Sequence, residues 1–278
     1  MPSMPAKIDV INGSGWEPDE TVALPFSMSV EGLEGTGKTF FGLMTCPTPI
    51  VHVNFSDRSA LSFLYDMSKD RRTKAKLYSF SANTTEGWTR DEGKDSLIQL
   101  SRIAQEEMAG GKLAGGTFIL DSGSTWWDVV QEVYVAPEFE KRELEGKKQR
   151  GGIEYGKGNL IINGVVSWLK NQGAFVVLTH RKTAVWDKDG PVKGQFTPQM
   201  NRKVRFLVEV RLDLHKKCAV CKGEECTAPN HVGRLHTGRL IKFGKLTALE
   251  GMEIDNPTFS DIYKMYYGRE FPNQEALK

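Results

Sequence analysis

Residues 32–39 read Gly32-Leu33-Glu34-Gly35-Thr36-Gly37-Lys38-Thr39, a match to the pattern G-x4-G-K-[ST]. Glycines at that spacing let successive backbone N–H groups turn inward around phosphate oxygens, and the N-terminus of a following helix adds partial positive charge. Lys38 is then placed to reach the β- and γ-phosphates of a nucleoside triphosphate, and the Thr39 hydroxyl to coordinate Mg2+. The expected nucleotide-binding set is Gly32, Leu33, Glu34, Gly35, Thr36, Gly37, Lys38, Thr39 and Phe40.

Such a site needs an acid beside the loop. The run Thr117-Phe118-Ile119-Leu120-Asp121 is an apolar strand ending in a carboxylate, which puts Asp121 at the edge of a sheet where ligands bind in open α/β folds. A carboxylate there holds Mg2+ through water, and it can also cap the helix that Ser122–Ser124 begins. At least one strand and two helices separate the loop from Asp121, a spacing that fits triphosphatases with a strand inserted between the two motifs. In those, an acid on a neighbouring strand positions the attacking water. Asp57, just after the strand Ile50–Asn54, is the candidate; Glu34 inside the loop is the rival, and a plain surface carboxylate is the bland reading of Asp57.

A second group has metal-ligand spacing. Cys218-x2-Cys221-x4-Cys226-x4-His231 resembles a zinc knuckle with its last two ligand types exchanged. Three thiolates and an imidazole would close a tetrahedral Zn2+ site, structural rather than catalytic, and hold a loop that has almost no core of its own. His236 and His215 are alternative fourth ligands, and free thiols in a turn are the alternative to zinc. Cys46 lies far from this group and reads as a buried core thiol.

The elements that must carry these residues alternate between strand and helix. Strands are expected at Phe26–Glu31, Ile50–Asn54, Lys76–Phe80, Gly116–Asp121 and Ala174–Thr179, with helices at Lys38–Thr45, Ser59–Asp66, Lys94–Ala109, Ser124–Val135 and around Ile161–Leu169. Glu138–Arg150, with five basic and four acidic residues, reads as a solvated or mobile segment. After residue 180 the alternation stops: Arg181–Gln199 is rich in Gly, Pro and charge, while Val204–Leu214 and Arg239–Phe243 read as strands with no helix between them. The expected fold is α/β, a mostly parallel sheet covered on both faces with an antiparallel C-terminal edge and a small zinc-binding loop.

The chain has 278 residues, 39% of them apolar and 26% charged, and a net charge of +2. That composition argues against wholesale disorder and gives no general attraction to nucleic acid, which would have to come from a local patch. Arg202–Lys217, with six basic and two acidic residues, is one such patch. No stretch is apolar enough to span a bilayer and Met1–Glu20 has no signal-like apolar run, so a cytoplasmic protein without membrane contact is expected.

From Phe26 to about Leu214 the order of motifs resembles the RecA-like recombinase core, in particular the phage-encoded RecA-core ATPases of the Sak-type single-strand annealing group. The residues that carry the likeness are the loop at 32–39, Phe118-Ile119-Leu120-Asp121-Ser122-Gly123-Ser124, Glu154-Tyr155-Gly156, Phe175-Val176-Val177-Leu178-Thr179-His180-Arg181, Phe206–Leu214 and Leu240–Lys245. The resemblance implies a RecA-like P-loop NTPase core and ATP as the nucleotide. It implies that His180, where the family more often carries Gln, senses the γ-phosphate. It also implies two mobile DNA-contacting loops, about Pro137–Tyr155 and Arg181–Gln199. Lys242 and Lys245 fall where family members reach a neighbour's ATP with finger-like cations; edge-strand lysines that discourage aggregation are the other reading. The implied partners are single-stranded DNA, further copies of the chain in a ring or filament, and a single-strand-binding protein, all in the cytoplasm of the host cell if the gene is a phage's.

These readings divide the chain into an N-terminal extension (1–25), an ATPase core (26–215), a zinc-knuckle insertion (216–237) and a C-terminal strand and helix that complete the core (238–278). The expected function is hydrolysis of ATP to ADP and phosphate, coupled to single-stranded DNA binding, recombination or annealing. The alternative from another class is a zinc-stapled nucleic-acid-binding or assembly module that uses ATP as a conformational ligand with little turnover. A P-loop kinase is a third reading, for which no acceptor pocket or lid motif is visible.

Overall fold

Side chains alternate between the two faces of a strand, and in residues 117–120 and 175–178 of this chain both faces are buried. In the computed structural model, which describes residues 23–55, 60–82, 87–147, 154–188, 190–218, 220–221, 234–244 and 246–272, Phe118 and Leu120 enter one core while Ile119 between them enters another. Val176 and Leu178 likewise face the first core, and Phe175 and Val177 the second. Strands buried on both sides are the mark of a parallel sheet sandwiched by helices.

In chain order the elements are β1 (Ser27–Gly32), α1 (Lys38–Phe40, continued by a wide π turn over Phe41–Thr45), β2 (Ile50–Asn54), α2 (Ala60–Asp66), α3 (Lys69–Thr73), β3 (Ala75–Ser79), α4 (Arg90–Met108), β4 (Thr117–Asp121) and α5 (Gly123–Val130, continued by a π turn over Gln131–Val135). Then come α6 (Ala136–Leu144), α7 (Gly156–Asn171), β5 (Phe175–Asp187), β6 (Gly190–Pro198), α8 (Val204–Leu207), β7 (Val210–Cys218), β8 (Arg234–Phe243), β9 (Glu253–Asp255) and α9 (Phe259–Tyr267). The sheet order is β3-β2-β4-β5-β1-β7-β8-β9, with β6 paired to the outer part of β5. From β3 to β7 the neighbours are parallel; β8 and β9 form the antiparallel edge. Strand β5 therefore lies between the strand that feeds the glycine loop and the strand that ends in Asp121, as the motif spacing predicts.

Helices α4, α5 and α7 cover one face through Leu97, Leu100, Trp126, Val130, Ile162 and Val166. The other face is closed by α1, α2 and α9, where Phe26, Phe175, Phe259 and Tyr263 form an aromatic cluster with ring centroids 4.9–6.4 Å apart. Capping boxes start α4 (Thr89 with Glu92) and α9 (Thr258 with Asp261). Among the described residues no helix is long and apolar enough to cross a membrane.

Over its described residues Glu138–Arg150 is largely exposed, as its charge suggests, and α6 runs through it to Leu144, with a proline in the helix's first turn. Arg142 pairs there with the buried Glu154 carboxylate at 2.9 Å and ties the helix to the start of α7. Two expectations for this architecture need correction. Arg181–Gln199 is a β-hairpin rather than an irregular loop, because β5 continues past the sheet and β6 returns along it. The β-branched residues Thr183, Val185, Val192 and Thr197 favour that extended form, and the Gly and Pro content had hidden it. Finally, Val204–Leu214 is not one strand: a short helix, α8, precedes β7.

Candidate functional site

The glycine loop begins where β1 leaves the sheet. Gly37 has φ 93°, a left-handed conformation open to glycine at little cost. A Cβ on Gly37 would also meet the His236 ring at 2.9 Å, so the loop and β8 approach each other as closely as a hydrogen atom allows. The His236 ring, through Nδ1, is in turn 2.9 Å from the Thr36 carbonyl oxygen.

Lys38 lies at the base of a cleft of about 520 Å³ whose walls include Glu34, Thr39, Phe40, Asp121, Arg181 and His236. Its ammonium donates to the carbonyl oxygens of Gly32 (3.1 Å) and Leu33 (2.7 Å). Burial lowers its pKa from the ordinary lysine value, and the Arg181 charge acts in the same direction, against the raising effect of Asp121. Phe40 is half exposed at the cleft and stands edge-on to Phe63.

Thr39 and Asp121 meet directly: the Thr39 hydroxyl donates to Asp121 Oδ2 at 2.6 Å. Two further groups hold the carboxylate. Thr179 Oγ1 donates to Oδ1 at 2.5 Å, and His52 Nε2 is 3.2 Å from Oδ2. Burial opposes ionisation of Asp121, but the bonds from His52, Thr179 and Thr39 outweigh it and hold the carboxyl at about 2. An oxygen-only pair of this kind, one hydroxyl and one ionised carboxylate at the mouth of a cleft, fits the hard-cation chemistry of Mg2+. Neither His52 nor Thr179 was singled out in the sequence. A histidine inside the otherwise apolar Ile50-Val51-His52-Val53 was the available signal for the first.

Of the other expected site residues, His180 is turned away. Its ring is 1% exposed, sits 2.8 Å from Ser29 Oγ through Nδ1, and packs against Gly123, where a Cβ would come within 2.8 Å of Nε2. Burial pushes the imidazole down to about 3, aided by the charges of Arg211 and Lys38, so the ring is neutral. Its neighbour Arg181, expected at the start of a DNA-contacting loop, lines the cleft instead. Lys242 is held within its own chain, donating to the carbonyl oxygens of Arg205 (3.0 Å) and Val208 (2.6 Å) around the short α8, at the end of β7 remote from the glycine loop. Asp57 and Lys245 lie outside the described residues. Asn54 is in register with Asp121 across β2 and β4, and the Phe55 N–H donates to the Asp121 carbonyl oxygen, so the chain leaves β2 beside the acid.

Of the cysteine group, Cys218 is buried at the end of β7 and Cys221 is exposed, while Cys226 and His231 lie outside the described residues. No cluster of three or more metal-ligating side chains occurs among the described residues. His236, on β8, contacts the glycine loop, and His215 lies 4.0 Å from Glu253. Cys46 is fully buried, and burial pushes its thiol up to about 12, as suits a core residue.

No protein-family model matches the chain, and no curated protein matches it.

Proposed function

We propose that this chain is a RecA-like P-loop ATPase that acts on single-stranded DNA. The observation that carries the reading is the convergence of Lys38, Thr39 and Asp121 at one cleft, from two strands separated by β5. In this reading the loop N–H groups and Lys38 bind and orient the triphosphate. Thr39 and Asp121 hold Mg2+, which when bound neutralises charge on the β- and γ-phosphate oxygens. His52 and Thr179 keep Asp121 ionised and aimed; positioning and charge neutralisation do most of the work in phosphoryl transfer. Asp57 is assigned the positioning of the attacking water from its place in the sequence just after β2.

The DNA part of the reading is supported by the hairpin of β5 and β6. It carries Trp186, 72% exposed, and Phe196, 45% exposed, together with Lys188 and Lys193. Exposed aromatics among cations suit stacking of unpaired bases along a tracked phosphate backbone. Zinc at Cys218, Cys221, Cys226 and His231 remains part of the proposal, as a structural staple beyond β7. Assembly with further copies, and contact with a single-strand-binding protein, belong to it as well.

The deciding experiment is steady-state ATP hydrolysis with and without single-stranded DNA, for the wild type and Lys38→Ala. Turnover that DNA stimulates and Lys38→Ala abolishes is expected. Tight Mg-ATP binding with no turnover in either condition would replace this reading with that of an ATP-dependent conformational module. Metal analysis of protein purified without chelator tests the zinc separately, and substoichiometric zinc would defeat it.

A further inference from the structure

We propose that Arg181 is a catalytic residue of this site, supplying from within the same chain the cation that stabilises the γ-phosphoryl group in flight. The proposal rests on the ATPase reading above and adds to it a residue that neither the loop motif nor the acidic strand end contains.

Its position follows from strand alternation. Along β5, Val176, Leu178 and His180 face one side of the sheet, and Phe175, Val177, Thr179 and Arg181 the other. Thr179 donates to Asp121 from that second side, and Arg181 is the next residue along it. In the pairing of β1 with β5, Arg181 is directly opposite Gly32, the first residue of the phosphate loop. Its side chain lines the same cleft as Lys38, Thr39, Asp121 and Ser122. His180, one residue earlier, is committed to the interior by its contact with Ser29.

The guanidinium is also oriented. Nη2 donates to Thr125 Oγ1 at 2.7 Å, Thr125 Oγ1 is 2.9 Å from Ser122 Oγ, and the Arg181 main-chain N–H donates to Ser124 Oγ at 3.0 Å. The contact with Thr125 uses one of five N–H donors, and the planar fork of the remainder suits phosphate oxygens. Two cations, Lys38 and Arg181, thus share a cleft whose carboxylates, among the described residues, are Asp121, bound by three donors, and the exposed Glu34. A polyanion relieves the mutual repulsion that the pair otherwise carries.

In the reaction the bond between the γ-phosphorus and the β,γ-bridging oxygen breaks, its electron pair leaving with ADP. A new bond forms to the oxygen of water, which releases one proton to the solvent and leaves as part of inorganic phosphate. Negative charge builds on the bridging oxygen as its bond breaks and is spread over the three equatorial oxygens of the group in flight, and a fixed guanidinium there lowers the barrier more than it tightens ground-state binding. Arg181 is also the last residue of β5 paired in parallel with β1, and the hairpin pairing begins at Lys182. The Arg181 carbonyl oxygen accepts from Gln199 N–H at 2.8 Å where β6 ends, and the Gln199 carbonyl accepts from Ser124 Oγ at 2.5 Å.

The test uses full-length protein and compares wild type, Arg181→Ala, Arg181→Lys and Thr125→Val. Readouts are ATP turnover, Mg-ADP affinity, and affinity for Mg-ADP with aluminium fluoride, which mimics the transferring phosphoryl group. Arg181→Ala is expected to lower kcat at least about 100-fold while Mg-ADP affinity stays within about threefold, and the aluminium fluoride complex is expected to lose its extra tightness. Arg181→Lys should recover part of the turnover, and Thr125→Val, which keeps the charge and loses its anchor, should lie between. A smaller loss in Arg181→Ala, or undiminished tightness of the aluminium fluoride complex, overturns the assignment and leaves Arg181 as a pin between hairpin and α5. Absence of turnover in the wild type overturns the ATPase reading itself, and this one with it.

Discussion

Thr39 and Asp121 are 82 residues apart in the chain and 2.6 Å apart in space, hydroxyl to carboxylate. Both oxygens belong to the hard class that Mg2+ prefers, so the pair is expected to act as one unit in metal-dependent nucleotide binding. Thr39→Ala should weaken Mg-ADP binding roughly 10- to 100-fold, the scale on which a misplaced metal ligand or its support is felt. Isothermal calorimetry with and without EDTA reads this directly: chelation should cost the wild type much affinity and Thr39→Ala little. Equal sensitivity of both proteins to EDTA would contradict it.

Acid should destabilise the protein in two separable ranges. His180 is buried and neutral, its folded-state value pushed down from 6.5 to about 3. Its contribution is whole above about pH 6.5 and drains away as pH falls towards 3, at up to about 1.4 kcal/mol per pH unit for one group. Asp121, held at about 2 against an ordinary 3.8, contributes fully above about pH 4 and loses that contribution as pH falls through 2. Urea unfolding midpoints from pH 7 to 4 should therefore decline in the wild type and flatten in His180→Gln, whereas Asp121→Asn should leave that slope in place.

On the far side of β1, Glu31 is 1% exposed and receives two bonds from Arg211, at 2.6 and 2.9 Å. Removing one partner leaves the other charge buried. Arg211→Met alone is expected to destabilise the fold by about 3–5 kcal/mol, while the pair Glu31→Gln with Arg211→Met should recover most of it. Chemical denaturation of the single and double variants forms the cycle, and additive losses would show that the two side chains are not coupled.

At the hairpin, Trp186→Ala should cut affinity for an unpaired oligonucleotide by about 1–3 kcal/mol, the usual worth of one stacked base. The melting temperature should stay put, since the ring is 72% exposed. Fluorescence anisotropy at two salt concentrations separates stacking from charge: the tryptophan variant should keep the wild-type salt slope, and Lys193→Ala should reduce it. Unchanged affinity in Trp186→Ala would remove the hairpin from the DNA-binding surface.

Much of this was legible in residues alone, where the physics is local. The loop Gly32–Thr39 announces itself because each of its constraints, positive φ, inward N–H groups, a cation and a hydroxyl, falls within eight consecutive positions. The strand Ile50–Asn54 and the acid at the end of Thr117–Asp121 were equally plain, since a buried parallel strand is a largely apolar run. Other features depend on which segments become neighbours. That His52 and Thr179 hold Asp121, that His180 turns inward while Arg181 takes the cleft, and that Lys242 spends its charge on the carbonyls around α8 are all settled by register between strands far apart in sequence. Side-chain alternation gives two opposite directions to adjacent residues, and only the packed sheet decides which direction faces the ligand.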